Sequence, residues 1–173
     1  LVDFEELEAE GAISRFTAAE KERKGLYLDF HAQAYKEDLE IAESLKSASH
    51  RWSVTAAYYA MLNLTKLYLA KRHNLSINDR SHVAARLALA RVLEEKGTRK
   101  RALELLEQAE KEFESFTAPR RRESSLPSML SAGQKKRERA SYYSHPPPQR
   151  RREDLDSLFK GTVRPFISIM EKL

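Results

Sequence analysis

The sequence predicts an all-α fold, a bundle of about five main helices in up-and-down order, and three observations carry that prediction. Ala, Leu, Glu, Lys and Arg, which lose little rotamer freedom in a helix, are abundant against only 5 Gly and 6 Pro. Apolar residues recur at three- and four-residue steps along most of the chain. Strand alternation is absent throughout. With 173 residues and 41% hydrophobic content, one continuous core can be buried. The expected organisation is a short N-terminal segment, residues 1–16, and a single bundle, residues 17–173, carrying a basic loop at 119–152.

The elements follow in order. Val2 to Glu10 reads as a minor acidic helix. Thr17-Ala-Ala-Glu20 has the form of a capping box, in which hydroxyl and carboxylate satisfy free backbone donors at a helix start. The helix it opens is expected to reach about Ala48, with Leu28, Ala32, Tyr35, Leu39, Ala42 and Leu45 on one face and Gly25 as a point of break or bend. The next segment, RWSVTAAYYAMLNLTKLYLAK, is apolar nearly all round, as suits the centre of a bundle, and Tyr58 and Tyr59 are expected to pack there. The linker HNLSIND turns the chain into a helix from about Arg80 to Lys96, with Val83, Leu87, Ala90 and Leu93 inward. Gly97 supplies a stop. Leu103, Leu106, Ala109, Phe113 and Phe116 mark a further helix ending near Thr117, which Pro119 closes. RRRESSLPSMLSAG reads as a loop, Gln134 to Tyr143 as a short helix, and Pro146 to Pro148 as an obligatory break. Leu155, Leu158, Phe159, Thr162, Phe166, Ile169 and Leu173 give a last helix that Pro165 is expected to kink.

Composition excludes several functions. Without cysteine there can be no disulfide, zinc-thiolate site, iron–sulfur cluster or thiol nucleophile. The longest charge-free run, Trp52 to Thr65, is short of the roughly 20 apolar residues that span a bilayer, and the acidic start does not resemble a secretory signal. A cytoplasmic location without membrane contact is the expectation. There is no phosphate-cradling glycine loop, no His-Glu-x-x-His helix and no Gly-x-Ser-x-Gly turn, and neither cofactor nor metal is expected.

Charge is distributed unevenly. The net +5 hides ten Lys/Arg against two Asp/Glu between Pro119 and Arg152, a segment of +8 on a remainder of −3. A positive segment on a mildly acidic body focuses potential locally, and phosphate is the commonest partner of such a field. Read as a charge run alone, the segment is a solvated surface. Read as a site, Arg120, Arg121, Arg122, Lys135, Lys136, Arg137, Arg150, Arg151 and Arg152 contact nucleic-acid phosphates. Tyr142 and Tyr143 then stack on unpaired bases, or else anchor a short helix to the core. His82, at a helix start, is a secondary candidate that can meet a ligand or cap the helix.

Three pieces in order carry a family resemblance: AAYYAMLNLTKLYLAK from Ala56 to Lys71, Ser81-His82 opening the next helix, and Arg137-Glu-Arg-Ala-Ser-Tyr142 before the last. Across roughly Glu40 to Leu173 the chain resembles the HEPN-domain family. That resemblance implies a helical bundle of HEPN type, often dimeric. It also implies either a metal-independent endoribonuclease of a toxin–antitoxin or defence system, or a non-catalytic helical module that binds a nucleotidyltransferase or another protein. Ribonucleolytic members carry an Arg, four to six residues, and a His; Arg139-Ala-Ser-Tyr-Tyr-Ser-His145 matches with five between, although the polar residue usual after the Arg is Ala140 here. The resemblance makes Arg139 and His145 the catalytic pair, RNA the substrate and a homodimer the assembly.

Overall fold

The computed structural model describes residues 3–93, 96–123 and 154–173. The Asp3 carboxylate accepts the Glu6 N–H at 2.8 Å and so caps α1, Phe4–Ala9. A glycine with φ +77° at Gly11 turns the chain into strand β1, Ile13–Arg15. The Glu20 carboxylate then accepts both the Thr17 N–H and the Thr17 hydroxyl at 2.9 Å, closing the expected capping motif over a 3₁₀ turn, Ala18–Glu20. Helix α2, Lys21–Ser44, follows without a break at Gly25 and stops four residues earlier than the periodicity suggests. Ser49, whose hydroxyl accepts the Trp52 N–H, opens α3, His50–His73.

The fold is the expected all-α bundle, with two short strands added to it. The linker after α3 holds β2, Leu75–Ile77, which pairs antiparallel with β1 in the register Ile13 to Ile77, Ser14 to Ser76 and Arg15 to Leu75. Asn74 makes this possible. It takes the left-handed conformation that ends α3, with φ +60°, and its side-chain amide donates to the Phe16 carbonyl at 2.6 Å.

Helix α4, Ser81–Val92, buries Ala84, Ala85, Ala88 and Leu89 completely, while Val83, Leu87 and Ala90 of the expected stripe are only half-buried. The small alanines let the helix approach its neighbours closely, so the larger side chains lie at the margins. Gly97 is not a stop: α4 ends at Leu93, and Gly97 is the second residue of α5, Lys96–Glu123. Nor does Pro119 close α5, which continues through it for four residues. A proline removes one backbone donor, and a 28-residue helix tolerates that loss near its end. The final helix, α6, runs from residue 154 to 172. Its irregularity is a π-helical turn, Phe159–Val163, ahead of Arg164–Lys172. That turn spans Gly161, whose carbonyl Pro165 would crowd in a regular helix.

Helix α3 is the centre of the bundle and serves two cores. Val54, Tyr58, Met61 and Leu64 meet Leu105, Leu106 and Phe113 of α5 and Phe159, Phe166 and Met170 of α6. Leu62 and Leu69 turn the other way, onto Phe4, Leu7, Ile13, Leu75, Ile77 and the alanines of α4. Burying each large side chain contributes roughly 1.5–3 kcal/mol, so residues 3–16 share a core with the bundle. The helix is not buried all round: the apolar side chains of Trp52 and Tyr59 are exposed. No helix among the described residues is long and apolar enough to cross a membrane.

Candidate functional site

The polar residues of α3 organise a band of chemistry-bearing side chains that joins four helices. Tyr59, Asn63 and Lys66 stand at four- and three-residue steps and so share a face. Asn63 bridges α3 to α2. Its side-chain N–H donates to Asp38 Oδ2 at 2.8 Å, and its Oδ1 lies 2.8 Å from His31 Nδ1. The opposite amide orientation would set oxygen against carboxylate, so Oδ1 faces the histidine, Nδ1 carries the proton, and Nε2 presents the lone pair.

Burial decides the charges in this band. His31 is 5% exposed between the rings of Tyr27 and Phe30, and burial lowers its pKa, the nearby Lys66 charge adding to the effect against the Asn63 hydrogen bond. Burial also raises the Asp38 pKa, with the Asn63 hydrogen bond opposing it. Lys66 donates to Ser81 Oγ at 3.0 Å and forms no ion pair with a described carboxylate, and burial lowers its pKa too.

Ser81 leads directly to the second half of the band. The Tyr58 hydroxyl lies 2.6 Å from His82 Nδ1, with the two rings nearly parallel. Phe113 of α5 stacks on both rings, at 4.9 Å from Tyr58 and 5.7 Å from His82, and Tyr59 meets His82 edge-on. Burial, then the carboxylate of Glu110, pushes the Tyr58 pKa up, so the phenol keeps its proton beside His82. Arg86 holds Glu110 at 3.6 Å and Glu107 at 3.8 Å beside it. His82 is therefore a half-buried ring held through Nδ1 and stacked against aromatic side chains rather than a surface residue.

This arrangement can hold a cation and two oriented imidazoles along one side of α3. Of the other sequence candidates, only three fall in a described element. Arg120, Arg121 and Arg122 fall on the last turns of α5, so the basic segment begins on a helix rather than in a loop. Lys135, Lys136, Arg137, Arg139, Tyr142, Tyr143, His145, Arg150, Arg151 and Arg152 lie outside the described residues, as do the short helix expected at Gln134 to Tyr143 and the break at Pro146 to Pro148. Sequence reasoning passed over His31, Asp38, Asn63 and Lys66. The signal for two of them was present: Asn63 and Lys66 interrupt the most apolar helix three residues apart. No group of three or more side chains suited to a metal ion occurs among the described residues. Comparison with family models, with curated proteins and with solved structures finds no match to this chain.

Proposed function

We propose that the chain is an RNA-associated bundle of the HEPN type, a cytoplasmic homodimer that cleaves RNA without a metal as part of a toxin–antitoxin or defence system. The observation that carries this reading is the charge asymmetry: a +8 segment stands on a body of −3, and its leading arginines extend α5, which packs into the same core as α3 and α6. A polyanion is the partner such a field attracts.

In this reading Arg139 and His145 are the catalytic residues. An imidazole titrates near neutrality and so can take the proton from a ribose 2′-hydroxyl. The 2′-oxygen attacks phosphorus, the bond to the 5′-oxygen breaks, and that oxygen receives a proton from an imidazolium. The Arg139 guanidinium donates two hydrogen bonds to the phosphoryl oxygens as charge builds there. Two copies would bring two such pairs to one cleft.

Incubating RNA with the purified chain and a chelator tests this. Parent protein is expected to cleave, and His145→Ala and Arg139→Ala to lose cleavage by about a hundredfold or more. Equal cleavage by all three removes the pair from the mechanism. A second reading, a non-catalytic module that docks a nucleotidyltransferase or another protein, is favoured by Ala140 standing where ribonucleolytic members carry a polar residue; it expects no cleavage by the parent.

A further inference from the structure

We propose that the exposed face of the α2–α3 hairpin is the surface on which a second copy of this chain docks, with the two α2 helices antiparallel across a twofold axis. The proposal rests on the homodimer part of the reading above and adds the face and its geometry. All five large hydrophobic side chains that stand exposed among the described residues belong to this hairpin: Leu26, Phe30, Ile41, Trp52 and Tyr59. Leu26 is 67% exposed, Phe30 64% and Trp52 52%, and apolar side chains grouped on one surface rather than scattered singly mark an interaction site. At 100° per residue, Arg23, Leu26, Phe30, Glu37 and Ile41 fall within about 60° of one another on α2. Trp52, Tyr59 and Asn63 share a stripe of α3, and through Asn63 that stripe reaches Asp38 and His31 of α2.

Charge names the occupant. The first half of α2 carries Lys21, Arg23 and Lys24 against Glu22 and Asp29, whereas the second carries Glu37, Asp38, Glu40 and Glu43 against Lys36. This order opposes the helix dipole, which favours anions at the start and cations at the end. Helix α3 has the favourable order, with Lys71, Arg72 and His73 in its last turn. Of these charges Arg23 and Glu37 lie on the exposed stripe itself, one toward each end, and an antiparallel copy sets Arg23 of each α2 beside Glu37 of the other. The unfavourable order thereby becomes complementary, and each patch meets its own counterpart as a twofold interface requires.

Sedimentation of the full chain, with crosslinking, provides the test. The parent is expected to be a dimer at micromolar concentration, weakened by raising salt, and Phe30→Glu to raise the dissociation constant about tenfold or more while far-UV circular dichroism is unchanged. Because the chain has no cysteine, Gln33→Cys introduces a unique thiol near the middle of the α2 stripe. A short bis-maleimide should link it to its own copy, and should not link Lys100→Cys, which lies on α5. A monomeric parent overturns both this proposal and the homodimer reading. A dimer that Phe30→Glu leaves intact, or that does not crosslink through Gln33→Cys, overturns the face and leaves the homodimer standing. Should Phe30→Glu fail to fold, the crosslink decides.

Discussion

In the folded chain the surroundings of His31 disfavour its charged form, because they penalise a proton on Nε2. Its ring is buried, and the Lys66 ammonium lies near enough to oppose a second positive charge. An unfolded histidine titrates near pH 6.5, so below that value the unfolded chain binds more protons than the folded one. The stabilisation His31 gives is then complete above about pH 6.5 and is lost as pH falls toward the lower folded value. Thermal melts between pH 8 and 5 are expected to show this decline for the parent and a flatter profile for His31→Gln; parallel profiles would mean the ring protonates freely. Tyr27, His31 and Tyr35 are visibly spaced for one face of α2 in the sequence. Their partner Asn63, 32 positions from His31, is not, because local spacing says nothing of which helix lies opposite.

The helices were legible as elements because each repeats its apolar spacing over several turns. The strands were not. Three residues cannot establish alternation, and Leu75, Ser76 and Ile77 are all buried, so no polar face marks the period. The stop signals were mixed: Asn74 of the turn-rich linker does end α3, in the left-handed conformation, whereas Gly97 and Pro119 both lie within α5. Docking of the N-terminal segment through β1 can be measured. Ile13 is fully buried against the second core, whereas the Arg15 side chain is largely exposed. Urea unfolding is expected to show Ile13→Ala losing about 2–4 kcal/mol and Arg15→Ala within about 0.5 kcal/mol of the parent. Equal losses would detach residues 3–16 from the bundle's stability.

For the whole molecule, composition foretold the helical class and the uneven charge, since both are sums that need no knowledge of contacts. What composition could not foretell is the division of the interior by α3, because that depends on two strands far apart in sequence meeting beside it. The charge has a measurable consequence: if the basic segment holds phosphates, the logarithm of RNA affinity falls linearly with that of salt. Replacing Arg150, Arg151 and Arg152 by Ala should reduce the slope by up to about 2 for a single strand. An unchanged slope would make those arginines solubilising only. The pairing of Ser14 with Ser76, 62 residues further on, also has a consequence in time. At a translation rate of 5–20 residues per second, the earlier strand waits roughly 3–12 s before the later one leaves the ribosome. Throughout that interval Phe4, Leu7 and Ile13 have no interior to enter, so the nascent polypeptide carries an adhesive patch that chaperones are suited to shield.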